Sequence, residues 1–572
     1  MVKMFKYLKP YWLLAVAAPL FMLLEVMMDL MQPLFMQRIV DVGIANKDMD
    51  YVLSTLVLML GVALIGFVGG VGCSYFSAKA SINMSTDIRD ELFTHVQNLS
   101  YGNVDRLKTG NLITRLTNDI VQVQRIVMLM MRIMVRSPLQ IIGSLIMTYI
   151  ISPRLFLILL ALVPILIGAM AIILSKGFPL YRIVQQKLDR VNTVMQENLS
   201  GIRVVKAFVR EDFEKDRFSE ANEDFSKTTV TVSRTMAVMS PVTMILLNVG
   251  VVAVLWFGNV EVQNGQMQVG KVMAFINYLL QLLNSLMMFA NMMMMYSRGQ
   301  ASAERIGEVF DEVPDITDAK ETEFVNSLSG DLVFDNVTFS YGSHAQEPVL
   351  KGVSFVAKPG EKVAIIGSTG SGKSSLVNLI PRLYDVTNGS ITIGGKNVKD
   401  INRNALRNHI GMVLQQTFLF SGTIMENITY GKEDAKLEEV LRVSKVAGAH
   451  EFIESFEAGY ETELGQKAMN ISGGQKQRIS IARGLLRQPY ILILDDSTSA
   501  VDVATEAKIQ KSLKEITGKS IVILVAQRIS SILDADRILV LEEGCIVGNG
   551  SHETLMKDNQ AYREIYESQL GK

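Results

Sequence analysis

KVAIIGSTGSGKSS, residues 362–375, passes from a short apolar run into a glycine-rich loop and on into the helix-forming run SLVNLIPRL. Gly367-Ser368-Thr369-Gly370-Ser371-Gly372-Lys373-Ser374 is G-x-x-x-x-G-K-S in the strand-loop-helix context that this motif requires. The glycines let backbone N–H groups wrap phosphates, and the helix that follows aims its positive end at them. Lys373 is placed to reach terminal phosphates, the Ser374 hydroxyl suits Mg2+, and Ser375 extends the same nucleotide-binding set. Further on, the apolar strand YILIL, Tyr490–Leu494, ends in Asp495. A carboxylate at the tip of a buried strand beside a phosphate loop is the expected partner of the Mg2+ shell. Around this core, residues 331–341 (DLVFDNVTFSY), 352–357 and 390–393 alternate like strands.

The rest of the chain is of a different kind. Its 572 residues suggest two to four domains, and 49% are hydrophobic, with a mean hydropathy of +0.26. The net charge is −1, without the basic excess of a nucleic-acid binder, so no nucleic-acid partner is expected. Two cysteines, Cys73 and Cys545, exclude a disulfide framework and a cysteine-rich zinc site. The five histidines show no H-E-x-x-H spacing.

Apolar runs fall at about 11–33, 52–78, 127–151, 154–174, 236–257 and 272–296. Each is long enough to cross a hydrocarbon core of ~30 Å. Six spans put both chain ends on one side. The long intervals at about 79–126 and 175–235 are rich in Lys and Arg, whereas the short ones near 41–51, 152–153 and 258–271 hold only Lys47 and Lys271. This bias places both termini, the long loops and the soluble part in the cytoplasm, with the spans in the cytoplasmic membrane. The expected division is a transmembrane domain at 1–306, a linker at 307–330 and a soluble nucleotide-binding domain at 331–572.

Between the phosphate loop and Asp495 stands Asn470-Ile471-Ser472-Gly473-Gly474-Gln475-Lys476-Gln477-Arg478. It resembles the LSGGQ signature of ATP-binding cassette proteins, with Ile in place of Leu. The whole chain resembles a half-size ABC exporter: a membrane α-helical domain of six spans fused to an α/β P-loop nucleotide-binding domain. The resemblance implies ATP and Mg2+ as cofactors. It also implies a dimer in which each ATP lies between one chain's phosphate loop and the other chain's signature. Ser472, Gly473, Gly474 and Gln475 would then serve the partner's nucleotide. Tyr341 sits where the family stacks an aromatic on adenine. Gln415, in VLQQTFLF, sits where a Gln senses Mg2+ and contacts the membrane domain. Ser499-Ala500-Val501-Asp502 resembles the loop that links the two ATP sites. The segments 108–120 and 201–213 resemble the short couplers that dock on cassettes.

The chain departs from the family pattern in one site. Asp496 stands where a Glu normally orients the attacking water, and Gln527, in Ala526-Gln527-Arg528, stands where a His is expected. An amide does not titrate and Asp is one methylene short. A misplacement of ~1 Å costs on the order of 10²-fold in rate. Gln466 likewise replaces the usual Glu after Gly465. An intact signature beside an altered base resembles the degenerate-site half of bacterial heterodimeric multidrug exporters, whose cargo is amphipathic small molecules. A homodimer with two slow Asp-based sites, a lipid flippase and a nucleotide-gated channel or sensor stay open as alternatives.

Within the spans, Glu25 and Asp29 share one helix face, as do Arg132 and Arg136. Simple topology sets the acidic pair toward the outer end and the basic pair toward the cytoplasmic end, so the two are not expected to meet. Met287, Met288 and Met292–Met295 cluster in the sixth span, where Asn277, Gln281, Asn284 and Asn291 recur at helical spacing.

Overall fold

The computed structural model describes residues 1–318, 327–342, 347–498 and 501–570. Ser499 and Ala500 of the linking loop, and part of the expected linker, lie outside the described residues. The chain forms two units: Met1–His95 with Gly110–Asp311, and Val96–Thr109 with Glu312–Lys572.

The first unit holds six helices long and apolar enough to cross a membrane: Lys3–Ile44, Met49–Asn98, Thr109–Ile151, Pro153–Ile173, Glu211–Gln263 and Val269–Asp311. They overlap the six apolar runs, and most extend well past them. The short turns obey local rules. Ser152 caps the fourth span through its hydroxyl, which accepts from the Leu155 amide at 3.3 Å, with Pro153 at the first helical position. Asp41 near the end of the first span accepts from the Gly270 amide at 2.6 Å and so caps the sixth.

Small residues bring the first two spans together. A Cβ on Gly69 would lie 2.9 Å from both the Glu25 amide nitrogen and the Phe21 carbonyl oxygen, so only glycine permits this approach. Cys73, Ser77, Ala80 and Ser81 continue the same buried stripe. Close backbone contact replaces hydrophobic drive where the surrounding solvent is lipid.

One expectation fails here. Arg136 does meet the acidic pair: its Nη1 donates to Glu25 Oε1 at 2.7 Å and its Nη2 to Asp29 Oδ2 at 3.0 Å. The reason is helix length. Asp29 lies fifteen residues before Ile44, and Arg136 fifteen before Ile151. At ~1.5 Å per residue both sit about 22 Å from the end that carries the short turns. The third helix begins well before its apolar run, so Arg136 is not at its start.

Among the described residues, the second unit contains twelve strands. β1 (Leu332–Phe339), β2 (Leu350–Ala357), β4 (Asn388–Ile393) and β5 (Lys396–Asn397) form an antiparallel sheet in the order β2-β1-β4-β5. β3 (Lys362–Gly367), β6 (Ile410–Val413), β9 (Ile491–Asp495), β10 (Ile521–Val525), β11 (Arg537–Glu542) and β12 (Cys545–Gly550) form a second sheet in the order β12-β11-β3-β10-β9-β6, parallel except for β12. β7 (Gly422–Thr423) and β8 (Glu463–Leu464) pair apart from both. All five residues of β9 and of β10 are buried, which explains why they read as continuous apolar runs.

The second unit also takes in residues 96–109. Ser100 and Asn103 form a capping box on the helix Tyr101–Leu107. Asn103 Nδ2 donates to Glu312 Oε1 and to the Val313 carbonyl, both at 2.9 Å, and Arg106 pairs with Glu312. Tyr384 donates its hydroxyl to Asp105 at 2.6 Å. The element held by the cassette is thus 101–107, and most of the expected 108–120 segment belongs to the first unit.

The Arg136 cluster makes a stability prediction. Arg136→Gln alone leaves two carboxylates facing each other in a low-dielectric setting. It should cost about 2–3 kcal/mol, below the range for a wholly buried pair because Asp29 and Arg136 keep some access to solvent. Adding Glu25→Gln and Asp29→Asn should restore most of the loss. Thermal unfolding in detergent measures both, and a triple variant as unstable as the single one would refute the charge argument.

Candidate functional site

The parallel sheet brings three strand ends to one edge. Val525 of β10 is paired with Ile365 of β3 and with Asp495 of β9. Beyond these ends lie the phosphate loop, Asp495-Asp496 and Gln527. A crevice outside the carboxyl ends of parallel strands is where α/β proteins place ligands. Gly372 turns the loop into the helix Lys373–Leu379 with φ +98°, a left-handed value that a side chain would strain.

Lys373, Ser374, Ser375, Gln415, Asp495, Asp496 and Gln527 line one cavity of about 200 Å³ with Thr369, Gly370 and Gly372. Lys373 Nζ donates to the carbonyls of Gly367 at 2.9 Å and Ser368 at 2.7 Å, folded over its own loop, and it stands 3.5 Å from the hydroxyl of buried Ser371. Burial lowers the pKa of Lys373, and the charges of Asp495 and Asp496 oppose that shift. Ser374 Oγ donates to Asp495 Oδ1 at 3.3 Å. Burial raises the pKa of Asp495, against the Ser374 hydrogen bond and the Lys373 charge, while Asp496 adds to the rise. Tyr341 follows β1 and is half-exposed, its hydroxyl 2.9 Å from Ser375 Oγ and its ring edge-on to Tyr384 at 5.2 Å.

The oxygen-bearing side chains of Ser374, Asp495 and Gln415 share this cavity, and that set fits Mg2+, which takes few protein ligands and keeps several waters. Ser374, Asp495 and Gln415 would hold the ion, which would supply positive charge against the phosphates of ATP.

Asp496 is held in a left-handed conformation at φ +47°, its amide donating to the Val525 carbonyl at 2.9 Å. Its Oδ2 accepts from Gln527 Nε2 at 2.9 Å and, more weakly, from Gln415 Nε2 at 3.4 Å. One oxygen of this carboxylate thus accepts from two side-chain amides.

Ser472 caps the helix Gly473–Leu486: its hydroxyl accepts from the Gln475 amide at 3.3 Å, and Gln475 Oε1 accepts from the Ser472 amide at 2.8 Å. Ser472 and Gly473 are exposed. Among the described residues, no signature side chain lines the phosphate-loop cavity. The structure therefore joins the phosphate loop, Asp495, Asp496, Gln415 and Gln527, and leaves Ser472–Gln475 apart from them.

Two supporting residues escaped the sequence reading. Buried Glu506 accepts from Thr498 at 2.6 Å and from Ser531 at 2.5 Å, tying the segment after Asp496 to the one after Gln527. Gln569 donates to the Gln527 carbonyl at 2.7 Å and accepts from the Ile529 amide at 2.8 Å. Neither lies in a motif, and a lone Glu or Gln on an amphipathic helix carries no signal of such a role.

Residues 16–286 match the ABC transporter transmembrane region, and residues 350–499 match the ABC transporter family. An uncharacterized ABC transporter ATP-binding protein of Bacillus subtilis (strain 168) is 43% identical over 572 residues, covering 100% of this chain and 99% of that protein. An uncharacterized ABC transporter ATP-binding protein of Mycobacterium tuberculosis (strain ATCC 25618 / H37Rv) is 36% identical over 568 residues, 99% of this chain and 97% of that one. An ATP-dependent lipid A-core flippase of Desulfotalea psychrophila (strain LSv54 / DSM 12343) is 36% identical over 487 residues, 84% of each chain. The fold is similar to that of a bacterial Atm1-family ABC exporter solved with ATP bound, with a TM-score of 0.81, 24% identity and 98% of each chain covered. Six spans joined to a cassette whose phosphate loop, strand-end Asp and signature are all in place make this chain a member of the ABC transporter family, a half-size ABC exporter.

Proposed function

We propose that this chain is one half of a heterodimeric exporter that moves amphipathic small molecules across the cytoplasmic membrane, with both termini and the cassette in the cytoplasm. In this reading its own phosphate loop binds ATP at a degenerate site, and its signature completes the competent site of a second half-exporter. The observation that carries it is the environment of Asp496: a shortened base whose Oδ2 is already engaged by Gln527 and Gln415. A Gln at position 527 has no titratable proton with which to hold the γ-phosphate and water in register. The capped and exposed N-terminus of the signature helix, separate from its own chain's cavity, supports a role toward a partner's nucleotide. ATP binding at both sites would close the cassettes, and hydrolysis at one would reopen them. A lipid flippase is the second reading, and the relative from Desulfotalea psychrophila favours it.

Two outcomes test this. Mass spectrometry of the complex purified from its source should show a second half-exporter of similar size, with Glu after its strand-end Asp and an altered signature of its own. This chain alone, fully active, would refute the heterodimer.

In the purified complex, Asp496→Asn should lower ATP turnover by less than about threefold, whereas Gln in place of the partner's base should lower it by on the order of 10²-fold or more. Lys373→Ala should hurt more than Asp496→Asn, since ATP must still bind here. Ser472→Ala combined with Gly474→Val should be the most damaging change in this chain, because it strikes the competent site. Asp496→Asn that abolishes turnover as fully as the change in the partner's base would show this site to be catalytic.

A further inference from the structure

The first three spans line an open cavity of about 730 Å³, far from the nucleotide motifs in sequence. Four charged side chains line it: Glu25, Asp29, Arg132 and Arg136. Their formal charges cancel, but the pairing is uneven. Arg136 alone serves both carboxylates. Arg132, one helical turn away, has no hydrogen-bond or ion-pair partner among the described residues and is only half-buried. A cation drawn to Glu25 and Asp29 would have to displace Arg136. An anion drawn to Arg132 displaces nothing and supplies a missing partner.

Depth sharpens the argument. Arg132 lies nineteen residues before Ile151, about 28 Å from the end with the short turns, at the far edge of a ~30 Å hydrocarbon core. From there the cavity runs toward the middle of the spans past Phe67 and Met28 to Val62. Val62 is thirteen residues into the second span, about 20 Å from the same end. By the same count Glu25 lies about 28 Å and Asp29 and Arg136 about 22 Å from that end, so Phe67, Met28 and Val62 run toward the middle of the spans alongside the charged group, with the Arg132 guanidinium at the headgroup edge. At that depth Arg132 also lines the same cavity as Arg136, which an arginine serving only as an interfacial anchor need not do. The guanidinium fork matches the oxygens of a carboxylate or phosphate. The net negative charge of the Glu25–Asp29–Arg136 group leaves room for one such head and disfavours a second.

We propose that this cavity binds an amphiphile with a single oxyanion head, phosphate or carboxylate, its head on Arg132 and its tail along Met28, Phe67 and Val62. The site narrows the cargo of the exporter from amphipathic molecules in general to anionic ones presented from the cytoplasmic leaflet. It rests on the reading of the chain as an exporter for its purpose, but it is measured by binding alone.

The test is equilibrium binding of labelled dodecyl phosphate to the full chain in phosphatidylcholine nanodiscs, with dodecyltrimethylammonium and inorganic phosphate as comparison ligands. Arg132→Gln should weaken dodecyl phosphate by about tenfold or more, and Arg132→Lys by a smaller amount, about threefold, since the charge is kept but the fork is lost. Dodecyltrimethylammonium should bind both variants as it binds the unaltered chain. Val62→Trp, which fills the tail end without touching a charge, should weaken dodecyl phosphate about fivefold; this reading stands if Arg132→Gln does not fold. Unchanged affinity in Arg132→Gln or in Val62→Trp would overturn the proposal, as would an equal loss for the cationic ligand. Inorganic phosphate competing at the same concentration as dodecyl phosphate would overturn the amphiphile and leave only a free-anion site. Intact binding without ATP-driven movement in vesicles would count against export and for the site.

Discussion

The parallel hydrogen bonding of β3, β10 and β9, in which Val525 is paired with Ile365 on one side and Asp495 on the other, is the constraint on which the nucleotide site depends. It sets the phosphate loop, the strand-end carboxylate and the Ala526-Gln527 segment on one edge, though the loop lies more than a hundred residues before the other two. The strands hold their register because every residue of β9 and β10 is buried. A slip of one place would move Asp495 into the apolar core. Burial also gives Asp495 its character, since the same apolar surroundings that fix the strand raise its pKa.

On that edge the altered residues form a local network. Asp496, Gln527 and Gln415 are joined by hydrogen bonds through one carboxylate oxygen, and Gln569 holds the Gln527 backbone from the C-terminal helix Gln560–Leu570. Gln and Asp are mutually complementary here: an amide donates where a carboxylate accepts. Asp496 and Gln527 therefore make chemical sense as a unit, each satisfying the other's hydrogen bonding beside the phosphate loop.

The membrane unit follows a different rule. Its helices have no water-driven reason to associate, so glycine and other small residues bring backbones into contact and a few polar groups fix the arrangement. Gly69 against Phe21 and Glu25 is the closest backbone approach on the second span, and it lies beside Glu25 of the Arg136 cluster. Close approach and charge pairing are coupled there: the helix contact that glycine permits carries Glu25 toward the third span.

Much of this was legible in the sequence. Apolar length announces six spans because hydrocarbon thickness fixes it, and G-x-x-x-x-G-K-S between a strand and a helix announces a phosphate cradle because few other sequences can wrap one. Asp495 is legible from its place at the tip of a buried strand, and Asp496 and Gln527 from the resemblance to the cassette family. What remained for tertiary structure were relations between elements. Arg136 reaches Glu25 and Asp29 because the third helix starts well before its apolar run, and an apolar run does not reveal where its helix begins. The cassette holds 101–107 rather than 108–120 because Asn103 and Arg106 find partners at Glu312 and Val313, two hundred residues away. Glu506 and Gln569 acquire their roles only through side chains that folding brings to them. The sequence determined which groups exist and which segments form helices and strands, because those depend on local periodicity and spacing. Only the tertiary structure decided which of these charges pair and that Arg132, among the described residues, has no partner, because pairing is a matter of depth and facing that no single helix encodes.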